Sequence, residues 1–546
     1  MSGFQRIMTN IKLWLIALLS GSLMALAWPA VGGISSLIYI SFIGLLLIEK
    51  ELSKKSGKGL QVFGYAYLSF FIFNLLTTWW IYYASDWGAA AAVICNSLFM
   101  AIVFWLFHQT KVKVGEKEGY IGLLIYWIAF EYLHLNWDLS WPWLTLGNVF
   151  AQDPSLVQWY EYTGVLGGSA LILIINLLLF FALGALVNQR KKASALLFAF
   201  SLVILFGLTF FSKQLYKHYN AEGKALEVLI VQPNIDPYFD KFGGMSEEEQ
   251  IDRMITLAEA EVDETTDLIL FPETAFPGAY WEHEVENFYG TKAMLSLLEK
   301  APNARIIVGL SSRKLITDLQ KVKPTSKRIN DKAYYDFYNT AMQLNMADSI
   351  AFHRKSKLVL GVEKVPFLST LPFMKKLSIN LGGSAGGFGS QDHPNVFFKP
   401  FSEEGIGPII CYESIYGEYV NQYALSGAEL YAIITNDGWW DDTPGYKQHL
   451  AYARLRAIEG RRSIVRSANT GISAIIDQKG DVIQQTNWWE ADAIKGTVKL
   501  NNSLTFYVKY GNYIGRTAAF VAPLLLLLTI VKKLNKTERR LKARKP

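Results

Sequence analysis

Gly407-Pro-Ile-Ile-Cys-Tyr-Glu-Ser414 is an apolar run that stops at a thiol, with a carboxylate two places further on. Cys411 is one of only two cysteines in 546 residues, and a run of this length reads as a buried strand ending in a turn. Four other stretches share its character: "ALEVLIVQPNI" (225–235), "DLILFPETAF" (267–276), "ARIIVGLSS" (304–312) and "LYAIITNDGWW" (430–440). Helical stretches lie between them. "SEEEQIDRMITLAEAEV" (246–262) opens on Ser246 and Glu249 in capping-box spacing. "QHLAYARLRAIEGRRS" (448–463) is a second helix, followed by strands joined at Gly480. Buried strands alternating with helices predict an α/β layered domain. Glu273, Cys411 and Asn436-Asp437 all fall just past the end of an apolar strand, where such folds gather their sites.

Outside this region the composition changes. The chain is 51% hydrophobic and 14% aromatic, rich for a soluble protein, and the excess sits in long runs within 13–211 and 517–531. A membrane-crossing helix needs about 20 mostly apolar residues. The candidates are 13–29, 34–48, 63–82, 89–107, 120–133, 167–187, 194–212 and 516–531, of which 34–48 and 120–133 are short. The first is read as a retained helix, because more spans follow and Trp28-Pro29 is a poor cleavage site. Lys and Arg cluster before residue 13, in 50–58, in 111–117, in 190–192 and in the tail "KKLNKTERRLKARKP". The loops 30–33, 83–88 and 134–166 contain neither. With eight spans, the positive-inside rule puts every basic segment in the cytoplasm and the large insert outside, in the periplasm of a two-membrane cell. The expected domains are a bundle over 1–212, a catalytic insert over 213–508, and a last helix with a basic tail over 509–546. The tail is read as a stop-transfer anchor beside anionic lipid rather than a nucleic-acid arm, and the net charge of +6 carries no further message.

Cysteines in an oxidising compartment usually pair, but Cys95 lies within the fourth hydrophobic span. No Cys/His cluster of zinc-site spacing accompanies Cys411 either. Two readings stay open: an inert buried thiol, the usual fate of a free cysteine, or a nucleophile. A thiol with a pKa of about 8.5 is little ionised near neutrality and needs a base or a nearby positive charge. His218, His283, His353, His393 and His449 share no motif. A carboxylate base with a lysine is the other route, and "FPET" (271–274), "HRKSKLVLGVE" (353–363) and "GPIICYES" supply that set.

Strand-Pro-Glu, a lysine about eighty residues later, and strand-Cys-Tyr-Glu resemble the nitrilase superfamily and its Glu-Lys-Cys triad. With the eight inferred spans, the chain as a whole resembles the apolipoprotein N-acyltransferase family, whose nitrilase-like domain is inserted before the last membrane helix. "YNTAMQL" (338–344), "TNDGWW" (435–440), "QHLAYARLRAIE" (448–459) and "RSANTGISAII" (466–476) also look like family segments. The resemblance implies an αββα sandwich joined to a membrane helical bundle. It implies Glu273 as general base, Lys355 as the triad lysine and Cys411 as nucleophile. Glu363 matches an additional essential glutamate and Trp439 an active-site tryptophan, with Tyr412 and Glu413 in support. One departure lies after the lysine, where Leu360-Gly361-Val362 stands in place of the family's Pro-Phe-Gly. Lys357 is therefore a rival to Lys355, which register alone favours.

The implied reaction moves a fatty acyl chain from a membrane phospholipid, through a Cys411 thioester, to the N-terminal amine of a diacylglyceryl-cysteine lipoprotein. It requires no metal, ATP or other cofactor and no nucleic acid. The expected location is the bacterial inner membrane, multi-pass, with a monomer as the expected state. "PFLSTLPFMKKLSINL" (366–381) is read as an arm touching lipid with the glycines of 382–390 as its hinge, or as a surface loop packing its own apolar residues. The tryptophans of 136–148 line lipid entry or form an interfacial belt. Two other classes stay open: a membrane-anchored carbon–nitrogen hydrolase, in which water resolves the intermediate, and a non-enzymatic scaffold or transporter. Seven spans ahead of the insert argue against the first, and the few intramembrane charges argue against the second.

Overall fold

The computed structural model of the chain describes residues 10–55, 57–347, 350–364, 366 and 387–542. The backbone divides into two units, His218–Gly511 and a helical unit made of the residues before it together with those from Asn512 on.

Within His218–Gly511 the strands are β1 (Ala225–Gln232), β2 (Leu268–Leu270), β3 (Phe276–Trp281), β4 (Arg305–Ile316), β5 (Lys327–Asn330), β6 (Ala333–Leu344) and β7 (Ala351–Arg354). There follow β8 (Phe397–Phe398), β9 (Gly405–Ile410), β10 (Ala428–Thr435), β11 (Ser463–Ala468), β12 (Ala474–Ile476), β13 (Val482–Gln485) and β14 (Asp492–Lys499). One sheet runs β14-β1-β2-β4-β6-β5, with β3 beside β4 and β7 beside β6; the other runs β13-β12-β11-β10-β9-β8. The middle of each is parallel: β1, β2 and β4 in the first, β9, β10 and β11 in the second.

Side chains alternate across a strand, and here both faces find apolar partners. Val228, Ile230, Leu268, Leu270 and Ile307 pack with Ile406, Ile410, Leu430, Ala432 and Ile434 of the second sheet. Their neighbours Leu229, Val231, Ile269, Phe271, Ile306 and Val308 pack with Ile251, Met254, Leu297 and Leu298 of helices Glu247–Glu259 and Tyr289–Lys300. Helices Gly417–Leu425 and Pro444–Gly460 lie against the second sheet. Strands buried on both faces read as unbroken apolar runs, and the result is the nitrilase-like layering of helix, sheet, sheet, helix. The capping box forms as its spacing predicts, with Glu249 N donating to Ser246 Oγ (3.2 Å) and Ser246 N to Glu249 Oε2 (2.8 Å).

One strand ends where its sequence suggests, just ahead of Asn436-Asp437. β10 ends at Thr435, and Asp437–Trp440 form a 3-10 turn. Asp437 draws the chain out of the ladder: its Oδ1 accepts from Thr435 Oγ1 (2.8 Å) and its N–H donates to Thr470 O (3.1 Å).

In the helical unit, five helices among the described residues are long and apolar enough to cross a membrane. They are Gly59–Thr78, Asp86–Lys113, Tyr160–Val187, Lys191–His218 and Tyr513–Asn535, with Leu13–Ala27 a shorter apolar helix. Residues 120–133 lie within helix Glu116–His134. The stretch 34–48 is broken into a 3-10 turn, Ser35–Tyr39, and helix Ile43–Ser53. Asn176 satisfies the backbone at that break, its Nδ2 donating to Ile38 O and its Oδ1 accepting from Phe42 N, both at 2.9 Å. The segment 367–381 and the glycines of 382–386 lie outside the described residues.

Candidate active site

Glu273 follows β2 in a turn that β4 holds from beside it. Gly309 of β4 donates its N–H to Pro272 O (3.1 Å). A Cβ at Gly309 would sit 2.6 Å from both Pro272 O and Thr274 N, so the turn needs a glycine there. The Glu273 carboxylate is buried, and its Oε1 accepts from Asn339 Nδ2 of β6 (2.7 Å) and Lys355 Nζ (3.1 Å).

Lys355 follows β7 and donates its N–H to Asn339 O (2.8 Å). Its ammonium is 1% exposed and also donates to Glu363 Oε1 (2.8 Å), which accepts from Asn339 Nδ2 (3.1 Å) as well. Burial works against this charge, but Glu273 and Glu363, with Cys411, outweigh it and hold the lysine well above its ordinary pKa. Glu363 is brought back to the lysine by a turn in which Val359 N donates to Glu363 Oε2 (2.8 Å) and Glu363 N to Val359 O (2.9 Å). Gly361 supplies that turn's left-handed residue, at φ 84°. A glycine thus closes the loop that lacks the family's proline. Lys357 points elsewhere: its Nζ sits over the rings of Tyr416 and Tyr419, 5.2 and 5.6 Å from their centroids.

Cys411 directly follows β9 with a backbone φ of 50°, left-handed for a residue with a side chain. Burial pushes the thiol's pKa up and Glu273 adds to the rise, while Lys355 pulls it down. At rest the sulfur is therefore a thiol, and ionisation has to be coupled to loss of its proton to a base. Glu413 fixes the turn on both sides. Its Oε2 accepts from Ile410 N (2.9 Å), directly before the nucleophile, and its Oε1 from Ser356 N (2.6 Å), directly after the lysine. Tyr419 OH donates to the same Oε1 (3.0 Å), and His353 Nε2 lies 3.2 Å from Oε2. Burial works to raise its pKa, but His353 and these N–H groups outweigh it and hold the carboxyl below the usual carboxylate range. Tyr412 is buried, T-shaped against Tyr416 at 5.3 Å. Trp439 is partly exposed, beside Tyr238 at 5.3 Å and stacked on Phe242 at 6.2 Å.

The sequence reading of Glu273, Lys355 and Cys411 thus corresponds to one buried electrostatic network, with Glu363 and Glu413 inside it. Three further groups belong to it. Lys241 is buried and donates from Nζ to Glu273 O (3.2 Å); burial lowers its pKa to about 8. His449 lies behind Cys411, its Nε2 2.9 Å from Ser414 Oγ and 3.2 Å from Cys411 O, its Nδ1 2.9 Å from Asp437 Oδ1. Arg466 of β11 is ion-paired with Asp437. Cys411 Sγ, a His449 nitrogen and an Asp437 oxygen all lie within 4.8 Å of one another. This is an ion-paired network rather than a cation site, because Arg466 already neutralises Asp437 and sits 3.2 Å from the imidazole. The sequence marks the segments of His449 and Arg466 by resemblance but not the roles of these three. Lys241 is one lysine in a run of aromatic residues, and His449 and Arg466 acquire partners only through folding.

Two family models match the chain: an apolipoprotein N-acyltransferase N-terminal domain over residues 20–178 and a carbon–nitrogen hydrolase over 228–503. The apolipoprotein N-acyltransferase of Chlorobaculum tepidum is 30% identical over 96% of this chain and 97% of that protein. That of Geobacter metallireducens is 30% identical over 91% and 92%, and that of Pseudomonas aeruginosa 27% over 96% and 97%. A buried cysteine on a nitrilase-like fold, preceded by apolar helices and aligned almost end to end with these enzymes, makes the chain a member of the apolipoprotein N-acyltransferase family.

Proposed function

We propose that this protein transfers a fatty acyl chain from a membrane phospholipid to the N-terminal amine of a diacylglyceryl-cysteine lipoprotein, with Cys411 carrying the acyl group between the two half-reactions. The observation that carries this reading is the Lys355 ammonium held between Glu273 and Glu363, beside a thiol on which both Glu273 and Lys355 act.

Glu273 accepts the thiol proton as Cys411 Sγ attacks the phospholipid ester carbonyl. Lys355 stabilises the developing oxyanion, and N–H groups of the turn after Cys411 assist; one such donor contributes roughly 10²- to 10³-fold in rate. Collapse breaks the ester C–O bond, Glu273 returns its proton to the leaving alkoxide, and a lysophospholipid departs from the thioester. The lipoprotein amine then attacks the thioester, Glu273 takes the amine proton, and the thiol is regenerated as the amide forms. Each bond is exchanged for another acyl bond, so the donor ester drives the transfer. Glu363 shares the lysine with Glu273 and keeps the ammonium in place while Glu273 is protonated. Trp439, with Tyr238 and Phe242, offers an aromatic rim suited to an acyl chain.

The charge pattern supports eight membrane spans in an inner membrane, with domains at 1–212, 213–508 and 509–546 and the catalytic domain on the periplasmic side. We take the working unit to be a monomer. The test is purified protein incubated with radiolabelled phospholipid and then with a diacylglyceryl lipopeptide. Label is expected on wild type and not on Cys411→Ala, and it is expected to move to the peptide amine. Release of the label as free fatty acid would instead support a hydrolase, and label independent of Cys411 would overturn the reading.

A further inference from the structure

Behind the nucleophile, the chain Arg466–Asp437–His449 ends on the carbonyl of Cys411 and takes no part in the acyl-transfer steps above. All of these side chains are buried. Counting hydrogens constrains the state of the ring. Ser414 has a single hydroxyl hydrogen, which it donates to Cys411 O over 2.7 Å. The 2.9 Å contact between Ser414 Oγ and His449 Nε2 therefore needs its hydrogen on the ring nitrogen. Were the imidazole to take the serine's hydrogen instead, two oxygens 2.7 Å apart would face each other with none between them.

The other nitrogen has its own constraint. Burial works to raise the Asp437 pKa, but Arg466 and His449 outweigh it and hold the group ionised, at about 2. A carboxylate oxygen 2.9 Å from Nδ1 needs a hydrogen there too. If Nδ1 accepted from Arg466 Nη2, 3.2 Å away, its lone pair would oppose that of Asp437 Oδ1. Trp440 adds a T-shaped contact with the ring at 5.6 Å.

We infer that His449 is a positioning residue carrying hydrogens on both ring nitrogens: it pins the Cys411 carbonyl, and with it the nucleophile's left-handed backbone, and it sets a second cation beside the sulfur. The inference rests on the reading of Cys411 as nucleophile. Among the groups facing the ring are Asp437 and Trp440 from the turn after β10, Arg466 from β11, and Cys411 with Ser414 from the turn after β9. Glu273 and Lys355 act on the thiol in addition. Asp437 also acts on the thiol and raises its pKa; a charged ring within 4.8 Å of both the sulfur and that carboxylate works against this rise, and a thiolate is favoured by it.

The test is alkylation of Cys411 by iodoacetamide, in the full-length protein in detergent and a Cys95→Ser background, from pH 5 to 10. His449→Gln retains a donor toward the carbonyl but no charge. Below the thiol's raised pKa the alkylation rate follows the thiolate fraction, so His449→Gln is expected to alkylate about 10- to 10³-fold more slowly at each pH, the fall that a pKa higher by about 1–3 units gives, with the slope against pH unchanged; an unchanged rate overturns the inference. No lipid enters this assay, so its outcome is separate from failure of the acyl-thioester test. Should the variant not fold, ¹⁵N-histidine spectra of the Cys95→Ser protein decide. Among the signals that shift when Cys411 is alkylated, one with both ring nitrogens protonated is expected, and its absence overturns the inference.

Discussion

At Lys355 a single ammonium is shared by two carboxylates, whereas Lys357, two residues on, rests on two tyrosine rings. The two lysines should separate cleanly. Lys355→Ala is expected to slow acyl-enzyme formation about 10²- to 10³-fold. Lys357→Ala should leave it within about threefold and cost about 0.5–1 kcal/mol of stability, the scale of a cation–π contact; labelled phospholipid and thermal melts measure the two effects. Glu413 is different in kind, because one carboxylate ties the residue before Cys411 to the residue after Lys355. Glu413→Gln keeps the shape but replaces an acceptor with a donor, so we expect roughly 3 kcal/mol of destabilisation in denaturant titrations and loss of transfer. Its folded-state pKa is depressed, so its contribution is present above the unfolded carboxyl pKa and is lost as pH falls through the lower folded value.

At the scale of elements, the turn bearing Glu273 is positioned by the bare backbone of Gly309. Gly309→Ala sets a methyl group against backbone atoms that cannot rotate away. About 1–3 kcal/mol of strain and at least a tenfold loss of acyl-enzyme are expected; wild-type rates in a folded variant would refute the role given to this turn. The same elements explain what could be read beforehand. The central residues of β1, β2, β4, β9 and β10 are apolar on both faces, so each strand contains a short hydrophobic run, and the residues just past β2 and β9 stood out. β5 (Lys-Arg-Ile-Asn) and β14 (Asp-Ala-Ile-Lys-Gly-Thr-Val-Lys) are partly exposed strands whose charges mask their pairing. β6 mixes aromatic, acidic and amide residues, because Asp336 and Asn339 have partners inside the fold. Lys355 and Glu363 were legible only by resemblance, since a lysine and a glutamate in a loop are ordinary. His449 lies in a stretch legible by resemblance, but its role was not: its partner Cys411 is 38 residues away, and no local pattern marks the pairing.

For the whole molecule, buried ion pairs tie pH to folding. The depressed Asp437 pKa means that its stabilising effect holds above about pH 4, the ordinary carboxyl range, and fades towards its folded value of about 2. Asp437→Asn should remove that part of the acid sensitivity while leaving Arg466 buried and unpaired, at a cost of about 3–5 kcal/mol; urea midpoints between pH 3 and 7 measure both. The orientation is tested separately with an impermeant maleimide on intact spheroplasts, where Glu222→Cys should label and Lys55→Cys should not. A last consequence follows from the φ of 50° at Cys411. Holding a residue with a side chain in that region costs about 1–2 kcal/mol, which glycine avoids. Of two inert proteins, Cys411→Gly should therefore melt above Cys411→Ala. The reacting atom thus hangs from a backbone position made for glycine, and the strain of holding it there is part of what the active enzyme carries and a glycine variant would shed.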